Sequence, residues 1–107
     1  RMLQFVRQDQ AYPDKREPQA RAQDFREIAD RYAAAEADEQ AARCSQCGVP
    51  YCSVHCPLQN HIPDWLRLTA EGRLREAYEL SNATSTMPEI CGRICPQDRL
   101  CEGNCVI

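Results

Sequence analysis

The chain has 107 residues, a formal net charge of −3 and only 7% aromatic residues. Its length suits a single compact domain and is too short for a typical enzyme with separate cofactor and substrate domains. The negative net charge argues against nucleic acid as a partner, because phosphate binding needs a basic surface. The low aromatic content predicts a small hydrophobic core, which metals, disulfides or a partner would have to stabilise.

Residues 1–17 are polar, contain Pro13 and show no sustained hydrophobic period, which predicts an extended arm or a partner-binding strand. The first eight residues lack the apolar run of a signal peptide, and no stretch approaches membrane-spanning length. We therefore expect a cytoplasmic protein with no membrane partner. Thiols stay reduced in that compartment, so clustered cysteines there favour metal binding over disulfides.

Helical periodicity begins at Pro18. Apolar side chains recur at three- and four-residue spacing from Pro18 to Ala33, which predicts an amphipathic helix. A second helix is predicted from Glu36 to about Gln46, and Gly48 is placed to end it in a left-handed cap.

Two further helices are predicted between the cysteine-rich segments. One opens at Pro63 and closes at Gly72, and the next runs from Arg73 to Asn82. Residues 81–88 are predicted to form a loop. No alternation long enough for a strand occurs, so we expect an all-α fold: a small helical bundle with cysteine-rich loops, comprising residues 18–107 after the arm.

Eight cysteines form two blocks, Cys44-x2-Cys47-x4-Cys52-x3-Cys56-Pro57 and Cys91-x3-Cys95-Pro96-x4-Cys101-x3-Cys105. Bacterial ferredoxins hold [4Fe–4S] clusters with a C-x2-C-x2-C-x3-C-P run, in which the last cysteine ligates the other cluster. The first block has this form with its middle gap widened by two residues, and the second is a looser variant. The blocks therefore predict two [4Fe–4S] clusters, with Gly48, Gly92 and Gly103 giving the loops flexibility.

The proline after Cys56 and after Cys95 favours an extended backbone at each cysteine. By analogy with two-cluster ferredoxins, we expect Cys56 to ligate the cluster built mainly by the second block. A residue of the second block would then ligate the first cluster in return. His55 lies among these cysteines, but the thiolates suffice without it.

Two alternatives remain open. The first is a zinc site, because zinc accepts C-x2-C pairs, and the chain would then be a structural zinc-binding module that docks a partner subunit. Structural zinc sites, however, usually show two separated pairs and do not require a Cys-Pro sequence. A disulfide framework is the other alternative, which the expected reducing compartment disfavours.

Three motifs resemble one known module: RCSQCGVPYC at 43–52, NHIPDW at 60–65 and ICGRICPQDRLCEGNC at 90–105. They are similar to the N-terminal domain of the glutamate synthase small (beta) subunit, with similarity from about Arg21 to Ile107. The same module resembles the N-terminal domain of dihydropyrimidine dehydrogenase and of the large subunit of NADH-dependent ferredoxin:NADP oxidoreductases. The α-helical two-cluster domain of that family precedes an FAD- and NADPH-binding portion.

The resemblance implies that the clusters relay electrons from the flavin toward the FMN of the glutamate synthase large (alpha) subunit, in glutamate biosynthesis. The implied partners are that large subunit and the flavin-binding remainder of the chain itself. No G-x-G-x-x-G follows in this sequence, so we expect a fragment of a longer NADPH-dependent oxidoreductase that is not catalytic alone. The same cluster module of another flavin-dependent oxidoreductase is an alternative.

The resemblance also implies the ligands. One cluster would be held by Cys44, Cys47, Cys52 and Cys105, and the other by Cys56, Cys95 and Cys101. In some relatives the fourth ligand of the second cluster is a Gln or Glu beyond the end of this sequence, and the cysteine matching Cys91 does not coordinate. Whether Cys91 serves as that fourth ligand here, or the site is incomplete, stays open.

Overall fold

The structure, a computed structural model, describes residues 1–107 and is helical with no strand. Six α-helices follow one another: α1 Pro18–Arg21, α2 Ala34–Ala41, α3 Tyr51–Val54, α4 Ile62–Ala70, α5 Leu74–Asn82 and α6 Pro88–Ile94. Short 3₁₀ turns occupy Gln4–Val6 and Gln97–Arg99. The predicted all-α class is confirmed. None of the helices combines the length and apolar character needed to cross a bilayer.

The two helices predicted between the cysteine blocks are confirmed as α4 and α5. Pro63 lies in the first turn of α4, where its missing N–H costs nothing. The chain turns out of the helix at Gly72, two residues after Ala70, and the φ of 74° at Gly72 is readily adopted only by glycine. The amide of Gly72 donates to the Thr69 carbonyl and that of Arg73 to the Leu68 carbonyl, both at 2.9 Å, which is a Schellman motif.

The core of the molecule lies around α4, which packs against α2 and α5 and touches α3. Only four residues are buried: Ala41, Ala42, Leu68 and Ala77. Three of them are alanines, whose small side chains let the helices approach closely but remove little apolar surface from water. Such a core needs further stabilisation, as the composition predicted.

The amphipathic helix predicted from Pro18 to Ala33 is wrong beyond its first turn. The Arg16 guanidinium binds both carboxylate oxygens of Asp24, at 3.1 and 2.6 Å, and folds the chain back on itself. The backbone then pairs locally, with the Arg16 amide donating to the Ile28 carbonyl at 2.8 Å. Phe25 is fully exposed, so its side chain buries no apolar surface that would stabilise a helix in this segment.

This fold-back predicts a pH dependence. The hydrogen-bonded Arg16 guanidinium, and secondarily the Arg26 amide, lower the pKa of Asp24 from 3.8 to about 2. Because the folded state favours the carboxylate, its contribution is fully present above the ordinary pKa and is lost as the pH falls through about 2. We expect NMR titration to give a midpoint near pH 2 in the native chain.

Arg16→Gln should raise the Asp24 midpoint toward its ordinary value of 3.8, while the retained Arg26 amide still lowers it. Arg26→Gln is the matched control, since its backbone N–H, 2.9 Å from Oδ1, is retained. Equal midpoints in the two variants would contradict the assignment to the guanidinium.

Two further expectations differ from the structure. The helix predicted from Glu36 to Gln46 ends at Ala41, and Gln46 rather than Gly48 takes the left-handed conformation, with a φ of 53°. In addition, the segment containing Cys91 and Gly92 forms helix α6 instead of a flexible loop.

Asn60 ties the loop after the first cysteine block to two helices. Its Oδ1 accepts a hydrogen bond from the Trp65 indole at 2.8 Å, and its Nδ2 donates to the Ser81 carbonyl at 2.7 Å and the Thr84 hydroxyl at 2.9 Å. Asn60→Ala leaves these part-buried groups without partners, so we expect a loss of about 2–3 kcal/mol in the free energy of unfolding by urea. The neighbouring exposed Gln59→Ala should change it much less; equal losses would contradict this role.

Candidate metal centre

The first cysteine block is delivered by the end of α2 and by α3. A turn closes directly after α2, where the Cys44 amide donates to the Ala41 carbonyl at 3.3 Å. Cys52 lies inside α3, and Cys56 follows that helix, with its amide donating to the Ser53 carbonyl at 3.2 Å. His55 is exposed, with its Nδ1 2.9 Å from the Tyr51 carbonyl. The first block therefore has Cys44 and Cys47 in the irregular segment between α2 and α3, and Cys52 and Cys56 in and directly after α3.

Gln46 directs hydrogen-bond donors at the sulfur of Cys44. Its backbone N lies 3.4 Å and its Nε2 3.3 Å from the Cys44 Sγ, and the same Nε2 lies 2.7 Å from the Pro63 carbonyl of α4. The left-handed backbone of Gln46 turns the amide toward that sulfur. Sequence reasoning missed this residue, because a positive φ at a non-glycine position leaves no clear signal in a single sequence.

The second block spans α6 and the turn that follows it. Cys91 lies inside α6, while Cys95 ends that helix with an extended backbone of φ −68° and ψ 126°. The residue before a proline avoids helical geometry, so Pro96 explains this end as predicted. Cys101 and Cys105 lie on the turn after the 3₁₀ segment 97–99, with the Cys105 amide donating to the Glu102 carbonyl at 3.2 Å.

Gly103 makes this last turn possible. A Cβ at that position would lie 2.1 Å from the Asp98 carbonyl oxygen and 3.0 Å from its carbon. The amides of Glu102 and Gly103 both donate to the Gln97 carbonyl, at 2.9 and 3.3 Å, which draws the two backbone segments together. Glycine is required here for space rather than for flexibility.

All eight cysteines are free thiols; seven are half-buried and Cys105 is exposed. Burial raises the pKa of the Cys52 thiol, and the nearby charges of Cys44 and Cys105 raise it further. Burial likewise raises the pKa of Cys101, with a smaller contribution from Cys95. Cys105 of the second block is thus within electrostatic reach of Cys52 in the first block.

Electrostatic interactions link the thiols into two groups: the charges of Cys44 and Cys105 act on Cys52, and the charge of Cys95 acts on Cys101. Cys47 follows Cys44 by three residues, and its sulfur lies 2.9 Å from the Ser45 hydroxyl. No side-chain hydrogen bond assigns Cys56 or Cys91 to a group, so the full ligand sets stay a prediction.

The donor set fits an iron–sulfur cluster. Reduced, half-buried thiols on short turns are the ligands that such clusters use. No three His, Cys, Asp or Glu side chains converge closely enough to hold a single metal ion. A four-iron cube separates its thiolate ligands more widely than one ion does, because the iron atoms stand between them.

The family described as "dihydropyrimidine dehydrogenase domain II, 4Fe-4S cluster" matches residues 21–107. Among curated proteins, the chain is 68% identical over 107 residues to the glutamate synthase [NADPH] small chain of Azospirillum brasilense, covering 100% of this chain and 22% of that protein. It is 49% identical over 106 residues to the Escherichia coli protein of the same name, covering 99% of this chain and 22% of that one.

A third relative is the putative oxidoreductase AegA of Escherichia coli, which is 48% identical over 112 residues and covers 99% of this chain and 17% of its own length. The chain therefore spans about a fifth of the length of these relatives.

Proposed function

We propose an electron-transfer function for this chain, which belongs to the dihydropyrimidine dehydrogenase domain II, 4Fe-4S cluster family. The resemblance seen in the two cysteine blocks is confirmed by that match and by the glutamate synthase small chains. One structural observation carries the function: the charge of Cys105, from the second block, acts on the Cys52 thiol of the first block, so the two blocks approach each other in the fold. Interleaved blocks are typical of two-cluster ferredoxins.

In its finer form, the proposal places the chain in an NADPH-dependent glutamate synthase small subunit that also binds FAD. The chain would relay electrons from FAD through two [4Fe–4S] clusters toward a large subunit. Similarity over the whole chain to proteins named glutamate synthase [NADPH] small chain supports this assignment. The Azospirillum protein is more similar to it than the putative oxidoreductase AegA is.

For the first cluster we propose Cys44, Cys47, Cys52 and Cys105 as ligands. For the second cluster we propose Cys56, Cys95 and Cys101, with Cys91 as the candidate for the fourth position. The half-buried state of all but Cys105 supports these sets, because partial burial shields ligand sulfurs from water.

The chain's own residues would set the conditions for electron transfer. When bound, the clusters supply one-electron redox chemistry. The thiols of Cys52 and Cys101, whose pKa values are raised by burial, must lose their protons on ligation, so assembly releases protons. The donors of Gln46 stabilise negative charge at the sulfur of Cys44.

Anaerobic reconstitution of the chain tests the function directly. We expect about eight iron and about eight acid-labile sulfide per chain, which is the content of two cubanes. A reductant should then bleach the visible absorbance, and reoxidation should restore it. Zinc without sulfide, or far less iron than expected, would overturn the proposal.

Gln46→Leu tests the side-chain hydrogen bond to Cys44, since the backbone N–H donor is retained. Because the Nε2 donor favours the more negative, reduced cluster, its loss should lower one of the two reduction potentials by up to roughly 40 mV, the one-electron equivalent of a hydrogen bond. EPR-monitored redox titration measures both potentials. Gln59→Leu is a matched control, since Gln59 also has a positive φ, of 49°, but contacts no thiol. Equal potentials in the two variants would contradict the role of Gln46.

A further inference from the structure

Residues 1–12 form the first part of the N-terminal arm and precede the region that matches the family, which begins at residue 21. No residue of the arm is buried, and Leu3 and Val6 are largely exposed. Hydrophobic burial therefore does not hold the arm in place. Hydrogen bonds hold it instead, and some of their partners lie in each of the two cysteine blocks.

At its start the arm binds the end of α2 and the first cysteine. The Leu3 amide donates to the carbonyl of Cys44, and the Gln4 amide to the carbonyl of Ala42, both at 3.0 Å. Carbonyls at a helix C-terminus lack partners within the helix, so the arm satisfies groups that would otherwise need water. In return, Arg43 Nε donates to the Gln8 carbonyl at 2.9 Å.

In its middle the arm is held by one amide side chain. Gln40 of α2 accepts a hydrogen bond from the Ala11 amide at 3.1 Å, and its Nε2 donates to the Asp9 carbonyl at 3.2 Å. The Tyr32 hydroxyl also donates to the Ala11 carbonyl. The arm is thereby fixed in direction as it leaves α2.

At its end the arm reaches the second block. The Tyr12 hydroxyl donates to a carboxylate oxygen of Glu102 at 2.9 Å, and Gln10 Nε2 lies 2.6 Å from the same hydroxyl. Glu102 lies on the turn between Cys101 and Cys105. One continuous segment therefore connects the backbone of Cys44 to the turn that carries Cys105.

We propose that residues 3–12 act as a clasp that holds the Cys101–Cys105 turn against the first cysteine block, with Tyr12 and Glu102 as its closing pair. Tyr12 and Glu102 are positioning residues that act through Cys105. The inference rests on the proposed ligand set in which Cys44 and Cys105 share a cluster. Cys105 is the one exposed cysteine, so an external restraint matters most there.

The test measures how fast a chelator removes iron from the reconstituted chain, together with the EPR signal of each cluster. Tyr12→Phe removes only the hydroxyl that closes the clasp, and Glu102→Ala removes its acceptor. We expect each substitution to accelerate iron loss from one cluster roughly threefold, the factor that corresponds to the net free energy of one exposed hydrogen bond. Combining them should add little more, because they break the same contact.

Glu102→Gln keeps an acceptor oxygen and should lose iron at close to the native rate. Tyr78→Phe is the matched control, since Tyr78 is exposed and its hydroxyl makes no hydrogen bond in the structure. Equal rates in Tyr12→Phe and Tyr78→Phe, additive effects in the double variant, or equal acceleration at both clusters would overturn the clasp alone. A native chain that takes up no iron and sulfide would overturn the proposed function, and the clasp with it.

Discussion

A Cys105→Ser chain is expected to reconstitute with about half of the native iron and sulfide, because one of two cubanes loses a thiolate ligand. The cluster lost should be the one held by the first block, although Cys105 belongs to the second. The reason is the proposed ligand set, in which Cys105 joins Cys44, Cys47 and Cys52, and the charge of Cys105 acts on the Cys52 thiol. EPR of the reduced protein separates the two clusters and shows which one is missing.

Cys101→Ser provides the matched comparison. This cysteine lies on the same turn as Cys105, but the proposed ligand set places it with Cys95, whose charge acts on its thiol. The Cys101→Ser substitution should therefore remove the other EPR signal. If both variants remove the same signal, the blocks are not interleaved. Cys91→Ser then decides the open fourth position of the second cluster, because native iron content would exclude that thiol as a ligand.

The cysteine pattern and the two central helices could be predicted from the sequence because their signals are local. Pro63 and Gly72 bracket α4 as the pattern indicated, and the structure shows Gly72 in a left-handed conformation after the helix. Pro96 similarly explains the extended backbone of Cys95. These residues act through their own backbone preferences, which tertiary contacts do not override.

The failures have a different cause. The apolar spacing from Pro18 to Ala33 is genuinely helical, but Arg16 binds Asp24, and Phe25 and Ile28 stay exposed instead of packing against another element. Gln46 contacts Cys44 and Pro63 and has a left-handed backbone conformation, which a glutamine in the sequence does not predict. Periodicity does not reveal which distant partner a segment will find.

The glycines of the second block illustrate the same limit. The sequence predicts flexibility for Gly92 and Gly103 alike, yet Gly92 lies in α6 with nothing within 4 Å of an added Cβ, whereas Gly103 faces backbone. Their substitution by alanine should therefore differ sharply. Gly92→Ala replaces a poor helix former and should leave stability unchanged or raise it by up to about 1 kcal/mol.

Gly103→Ala should have the largest effect of the four possible Gly→Ala substitutions. Its Cβ would lie 2.1 Å from the Asp98 oxygen, and the neighbouring atoms are backbone, so no side-chain rotation can relieve the overlap. The segment 97–99 must move, and the hydrogen bonds that Gln97 accepts from the turn are then lost. We expect a loss of about 3 kcal/mol or more in the free energy of unfolding.

Iron content gives the sharper measurement, because the turn carries Cys101 and Cys105, which are proposed to serve different clusters. Displacing it should therefore impair both, whereas Cys105→Ser impairs one. We expect Gly103→Ala to reconstitute with less iron and sulfide than Cys105→Ser, even though all eight thiols remain. Native iron content in Gly103→Ala would mean that the turn tolerates displacement, and loss of a single EPR signal would mean that its two cysteines serve one cluster.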